Sequence, residues 1–382
     1  MNEISAIRAE VDVDTIVFPF LGAEIGGSHM STFPLGQVLM EHFGKRCVVI
    51  SAKNSPIACE AARLGFEVAD SGERPVMRNN PLYDLARLSG RLERLRHYGK
   101  NSIVHCNDIG TLQSWGLTAK LLRRPVIYHH RALNRMVLPN RMVLKMADAV
   151  ICVSNHVRRS IALVSSKHVS TILDPFLVPL ALDRASARSA LLKRHGYEAD
   201  ALIVGFVGNF WHRKRPFFFL DTCRAILTRI PKARFILFGR SGEIGESQLL
   251  EYARTIGLAE RTTFAGFQLP AEQNIAALDL LLLPAIAEPF GRTPVEALLL
   301  GTPYVATADA GHSEIASRWG GGALVDPTAT AEQFAQSALA TLAQSESTVL
   351  SPNRRKAVAD ELSAEGHARK VLGVYREVMP RK

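Results

Sequence analysis

The stretch LDLLLLPAIAEPFGRTPVEALLLGTPYVAT (278–307) decides how this chain is read. A short apolar run closed by Pro284 reads as a buried parallel strand. Thr293 fits a helix N-cap, Pro294 the first helical position, and Glu296 the third residue after the cap, so T-P-V-E has the form of a capping box. Gly301 ends that helix and Pro303 opens the next strand. The loop between strand and helix holds Glu288, Phe290, Gly291 and Arg292, with Glu288 and Glu296 eight positions apart. Backbone amides at a free helix N-terminus make an anion site. Carboxylates beside it repel phosphate but accept hydrogen bonds from polyol hydroxyls. Phosphate on the amides and hydroxyls on the acids describe a sugar nucleotide. The competing local reading is that Glu296 only caps its own helix.

Working outward, β-type runs alternate with helical patterns through most of the chain, which predicts an α/β protein with parallel sheets. The first half offers runs at 15–21, 46–52, 102–107, 125–130, 149–154 and 170–176, and the second at 202–208, 234–239, 262–267, 278–284, 302–307 and 322–327. At 382 residues, two domains are expected. The proline-bearing segment PFLVPLALDRA (175–185) is the linker candidate. The expected division is an acceptor-binding domain over 1–178 and a nucleotide-binding domain over 179–366, with a helix over 367–382 packing back on the first. Functional loops should follow strand C-termini, facing a shared central cleft.

The composition, 47% apolar and 21% charged, is that of a globular protein. No apolar run approaches the ~20 residues of a membrane span. The acidic start MNEISAIRAEVDVD is not a signal peptide. Five scattered cysteines without a C-x-x-C pair read as buried thiols of a reducing cytoplasm. The net charge of +10 is concentrated: residues 74–159 hold 16 Lys/Arg against 4 Asp/Glu, a local +12. Such a segment suits an anionic partner.

Three further loops have chemical content. In GNFWHRKRP (208–216), Arg213, Lys214 and Arg215 precede a helix-starting Pro216, an arrangement unfavourable with the helix dipole unless an anion binds there. In GAEIGGSH (22–29), Gly26 and Gly27 allow close backbone approach, but the G-x-G-x-x-G of nicotinamide sites is absent. In YHHRALNR (128–135), His129 and His130 point to opposite faces of a strand, so one of them should reach the ligand.

Together these residues resemble the family-4 retaining glycosyltransferases, which have the GT-B fold of two Rossmann-like domains. GAEIGGS resembles the family's N-terminal glycine loop, IVHCND with PVIYHHR its central histidine strand, and VGFVGNFWHRKRP its diphosphate loop. ADAVICVSNHV resembles a further segment of the first domain, and EALLLGTPYVA closely matches the helix and strand after the paired glutamates. The resemblance implies that Glu288 stabilises the oxocarbenium-like state and that Glu296, helped by a Thr293 cap, holds the ribose. It places Lys214 and Arg213 on the diphosphate, supported by amides at Phe290, Gly291 and Arg292. It puts Gly26 and Gly27 near the donor phosphate, His129 or His130 near the transferring sugar, and Phe267 against the base. One departure is Gly208-Asn209, where many members have Gly-Arg. No D-x-D motif follows a suitable strand, so no metal cofactor is expected, and the donor would be a UDP- or GDP-sugar.

The acceptor, a glycan or lipid-linked glycan of bacterial envelope polysaccharide synthesis, is expected on the first domain. There DLARLSGRLERLRHYGK (84–100) sets Leu85, Leu88, Leu92 and Leu95 on one helical face with Arg87, Arg91 and Arg94 around it. With Arg131 and Arg135 these form a candidate acceptor or anionic-membrane patch, placing the protein in the cytoplasm and on the inner face of the membrane. Rival readings are a non-hydrolysing sugar-nucleotide epimerase, a nucleotide-binding pseudoenzyme and an anionic-polymer-binding protein. Nucleic acid is not expected, since no reader motif accompanies the positive charge.

Overall fold

Parallel strand pairing accounts for the architecture of the computed structural model. It describes the chain except residues 1–12, 23, 74–80, 134–136, 162–167, 345–347 and 380–382. Two units are present, Met1–Leu177 with Leu362–Lys382, and Val178–Glu361. The first is built on seven strands: β1 (Thr15–Pro19), β2 (Arg46–Ser51), β3 (Glu67–Asp70), β4 (Ser102–Cys106), β5 (Val126–His130), β6 (Ala149–Cys152) and β7 (Val169–Thr171). Their order is β3-β2-β1-β4-β5-β6-β7. The second unit has β8 (Leu202–Val207), β9 (Ala233–Phe238), β10 (Thr262–Gly266), β11 (Leu280–Leu283), β12 (Tyr304–Thr307) and β13 (Ala323–Val325), ordered β10-β9-β8-β11-β12-β13.

Each sheet reverses its direction of growth once, between β1 and β4 and between β8 and β11. In open parallel sheets ligands bind beyond the strand C-termini at that reversal. The loops that follow these four strands include the glycine loop before His29, Asn107, the Arg213–Lys214 turn and the Glu288 loop. All twelve strands expected from the sequence are present. β3 was not expected, because as an edge strand it leaves Glu67, Val68 and Asp70 exposed and shows no apolar alternation.

The first core gathers Phe18, Leu35, Val49, Ile127 and Ile151 with Val371, Leu372 and Tyr375 from the C-terminal helix Ala364–Val378. The second gathers Phe206, Phe219, Phe235, Leu282, Val305 and Phe334. Four of the five cysteines are buried free thiols and Cys59 is exposed.

Helix Pro81–Arg96 corrects one expectation. Its inward face is Asp84, Leu88, Arg91 and Leu95, so Leu85 is 65% exposed while Arg91 is 1% exposed. The Arg91 guanidinium grips Glu73 through two bonds of 2.6 and 2.7 Å and donates to Asp84 at 2.9 Å. A planar fork matched to carboxylates on this face is what allows an arginine to take a core position. Arg91 is therefore no part of a surface patch. Arg94 is tied to the Asp70 and Gly90 carbonyls, and Arg87 stays exposed, donating to the Gly72 carbonyl.

Candidate functional site

In the second unit the site begins with the turn after β8. Gly208 and Gly239 pass so closely that a Cβ on Gly239 would lie 2.1 Å from the Gly208 carbonyl oxygen. The chain then makes a short 3-10 turn, His212–Lys214, and enters helix Pro216–Leu227 through Arg215, whose guanidinium covers the Phe218 ring. The turn presents Arg213 and Lys214 to the loop after β11. Arg213 Nη1 donates to Glu288 Oε2 at 2.5 Å and Lys214 Nζ to the same oxygen at 2.7 Å. Burial alone would raise the Glu288 carboxyl, but Lys214 and Arg213 override it and hold it at about 2. Glu288 is thus a buried, permanently ionised carboxylate with two cations on one oxygen.

The Glu288 loop is braced from behind. Ala287 sits at φ +51°, unfavourable for a residue with a Cβ, and its amide donates to Asp309 Oδ2 at 2.6 Å. The Gly311 amide donates to the Glu288 carbonyl at 2.9 Å. A Cβ on Gly311 would meet the Phe290 carbonyl oxygen at 2.1 Å, so only glycine admits this approach. Asp309 and Gly311 were not singled out from the sequence, since their contacts depend on β12 lying beside β11.

The capping box is not formed. Helix Arg292–Leu300 takes Gly291 as its N-cap, at φ +101° and without a side-chain cap bond. Thr293 therefore lies inside the first turn and caps nothing, because the left-handed Gly291 starts the helix two residues earlier than the Thr-Pro signal suggests. Glu296 pairs with Arg292 one turn back, at 3.5 Å. Burial pushes its carboxyl above the ordinary range, against the pull of Arg292. Phe267, after β10, is exposed, with Arg240 stacked 4.2 Å from its ring centre. Phe267 lines a small cavity of about 90 Å³ with Gly208, Asn209, Gly239 and Asn274.

Residues 201–344 match the family model described as Glycosyl transferases group 1. The family match lies wholly within the second unit and contains Arg213, Lys214, Phe267, Glu288 and Glu296. The chain is 30% identical over 179 residues to the lipopolysaccharide core biosynthesis mannosyltransferase LpsB of Rhizobium meliloti (strain 1021), covering 46% of this chain and 50% of that protein. It is 32% identical over 145 residues to the D-inositol 3-phosphate glycosyltransferase of Rhodococcus erythropolis (strain PR4 / NBRC 100887), covering 36% of this chain and 32% of that protein. The matched region thus spans half or less of the length of these curated relatives. Among solved structures, Anabaena Alr3699/HepE in complex with UDP and glucose aligns with a TM-score of 0.79 at 20% identity, over 95% of this chain and 100% of that one. Sucrose-phosphate synthase from Thermosynechococcus elongatus aligns with a TM-score of 0.76 at 22% identity, over 95% and 98%. The fold of the chain is GT-B, with two parallel-sheet units.

The first unit places its polar residues around the C-termini of β1, β4 and β5. Gly26 caps helix Gly27–Glu41, and its amide donates to His29 Nδ1 at 3.0 Å. His29 packs on Phe20, and burial holds its imidazole down at about 4. Asn107 Oδ1 lies 3.0 Å from Thr32 Oγ1 and accepts from Arg131 Nη1. Arg131 Nε donates to Asp174 Oδ1 at 3.2 Å. Arg131 is buried in this network, which removes it from the expected surface patch. Arg135 lies outside the described residues.

His129 and His130 are both fully buried, on opposite faces of β5. His130 Nδ1 bonds the Tyr128 hydroxyl at 2.8 Å. His129 Nδ1 bonds His105 Nε2 at 3.2 Å, and its ring stacks on His367 of the C-terminal helix. His105, Asn107, Asp174, His367 and Tyr375 were missed as site residues. A histidine inside an apolar strand, as in SIVHC, is the one sequence signal that would have found any of them.

Proposed function

We propose that the protein is a retaining glycosyltransferase that moves a sugar from a nucleoside-diphosphate sugar to a glycan or lipid-linked glycan acceptor of envelope polysaccharide synthesis. The observation that carries this reading is the buried Glu288 carboxylate held by Lys214 and Arg213 at the sheet reversal of the second unit. Two cations beside a helix start suit a departing diphosphate, each charge-assisted bond contributing roughly 1.5–3 kcal/mol. A fixed negative charge suits the oxocarbenium-like sugar left behind. Phe267 with Arg240 offers a stacking face for the base, and Glu296 an acceptor for ribose hydroxyls. The leaving diphosphate oxygen then takes the acceptor proton in a front-face displacement. No resident metal is invoked, because Lys214, Arg213 and the amides of Phe290, Gly291 and Arg292 supply the counter-charge.

A thermal-shift panel of UDP, GDP, ADP, CMP and dTDP, with and without EDTA, tests this reading. One nucleoside diphosphate should raise the midpoint by a few degrees, since ligand at about 100 times its dissociation constant adds roughly 2.7 kcal/mol. The shift should survive EDTA. A flat panel would sink the proposal.

The same reading puts the protein on the inner face of the cell membrane. No helix among the described residues is long and apolar enough to cross one. The support is a set of exposed apolar side chains on neighbouring helices of the first unit: Leu82, Leu85, Leu121, Leu138 and Met142, among exposed Arg87, Arg123 and Lys145. Leucines beside basic residues suit an anionic lipid surface. Full-length protein should sediment with vesicles containing anionic lipid, and Leu82→Asp with Leu85→Asp should reduce binding several-fold. Equal sedimentation of the double variant would remove the membrane from the proposal.

A further inference from the structure

The C-terminal helix Ala364–Val378 packs on the first unit over a cluster of three imidazoles. His105 on β4, His129 on β5 and His367 on the helix itself are all buried. Tyr375 Oη lies 2.6 Å from His105 Nδ1, and His105 Nε2 lies 3.2 Å from His129 Nδ1. The His129 ring stacks on His367, with 5.9 Å between ring centres and 14° between planes. We propose that this cluster is a proton-gated latch, which holds the C-terminal helix on the first unit while the imidazoles are neutral and releases it when they take up protons in mild acid.

The closed arrangement has no good place for a further proton. The facing nitrogens of His105 and His129 share one proton, and a second would set N–H against N–H. A fully protonated His105 would donate at both nitrogens and leave the Tyr375 hydroxyl hydrogen buried without an acceptor among the described residues. On His367, Nδ1 donates to the Leu173 carbonyl at 2.8 Å, so an added proton must enter at Nε2. That nitrogen, like His129 Nε2, is buried and has no partner among the described residues. Two stacked imidazolium rings would also repel each other across the 5.9 Å between them. Once the helix leaves, water can accept from every one of these nitrogens.

The charges around the cluster do not relieve this. Burial first, then the Arg131 guanidinium, hold His105 and His129 well below the ordinary histidine range, and His130 on the other face of β5 adds a smaller push on His129. Burial holds His367 at about 4, although Asp174 and the Leu173 carbonyl pull it upward, with Arg131 and Lys370 acting against them. Asp174 Oδ1 lies 4.0 Å from His129 Nε2, but the same oxygen already accepts from Arg131 Nε at 3.2 Å. Cys47, near Tyr375, is kept neutral by burial. Toward the helix ends, Glu365 faces His42 at 3.9 Å and Arg369 at 2.7 Å, and Glu377 faces His168 at 3.7 Å. Protonating His42 or His168 would tighten these solvent-accessible pairs, but such pairs act weakly.

The sign follows from the three buried rings. They are neutral while the helix is docked and titrate near 6.5 once released. The latch is therefore fully closed above about pH 6.5 and weakens as pH falls toward 4. Release also uncovers Val371, Leu372 and Tyr375 of the core, which one proton would not offset. Three coupled protons make the opening equilibrium rise by up to about a thousandfold per pH unit.

The latch is independent of the glycosyltransferase reading. Hydrogen exchange of the full-length protein, followed by mass spectrometry from pH 7.5 to 5 and corrected for intrinsic rates, tests it. Between pH 6 and 5 the protection of amides in Ala364–Val378 should fall by roughly 300-fold, the response of three imidazoles. At pH 5 those amides should exchange at least about 100-fold faster than those of β1 and β2. A fall of about tenfold or less, the response of a single proton, would overturn the latch. So would one common exchange rate for the helix, β1 and β2 at pH 5, since the whole unit would then be unfolding. His367→Gln removes one titrating ring, and its fall in protection should shrink to about 50-fold. An unchanged fall in that variant would also overturn the proposal, and if the variant does not fold the two wild-type readings still decide.

Discussion

Glu288→Gln is expected to lower the transfer rate by about 100- to 1,000-fold while leaving affinity for the free nucleoside diphosphate unchanged or improved, because the amide keeps the shape and loses the charge. In the structure one carboxylate oxygen engages both Arg213 and Lys214. Removing the charge frees two cations for phosphate and removes the negative partner of an oxocarbenium-like sugar. The two readouts should therefore separate. A variant that keeps more than about a tenth of wild-type turnover would exclude Glu288 from the reaction. Stability gives a third readout. The carboxyl is held at about 2 against an ordinary 4.5, so its ionised form contributes fully above about pH 4.5, and that contribution is lost as pH falls toward 2. The stability of Glu288→Gln should be flatter with pH across this window, by about 3 kcal/mol.

Lys214→Ala should do the opposite to binding. Loss of one charge-assisted bond to the diphosphate predicts roughly 10- to 150-fold weaker nucleotide affinity, measured by calorimetry. The structure adds a cost in the unliganded protein, since Lys214 is the largest influence holding Glu288 ionised. Without it a buried carboxylate keeps only Arg213, which is half in solvent. Lys214→Ala should therefore also be less stable than wild type at neutral pH and less so near pH 4, where Glu288 can take up a proton. Lys214→Met, which keeps most of the stem, separates charge from packing. Nucleotide affinity within about threefold of wild type in both variants would mean that Lys214 serves only to neutralise Glu288.

Legibility of the site from sequence differs between the two units, for a physical reason. In the second unit the candidate residues sit on two short loops whose glycine, proline and charge pattern is local. Arg213, Lys214 and Glu288 stand out in the sequence, and the structure sets both cations on one oxygen of Glu288. The Thr293 capping box failed because helix starts compete locally, and a glycine able to adopt φ +101° outbid a favourable Thr-Pro pair. In the first unit the informative residues are single histidines, one asparagine and one tyrosine spread over 105–375, and no local spacing connects them. Arg91 and Arg131 read as surface charge because an arginine's burial depends on carboxylates brought in from other elements, here Glu73 and Asp174.

The sequence by itself determined the α/β class and all but one strand, because strand periodicity is a property of consecutive residues. Only the tertiary structure decided what Glu288 is bonded to, which arginines are buried and how His129 is held. Those outcomes depend on groups tens to hundreds of positions apart, whose contacts exist once parallel strands have set them side by side.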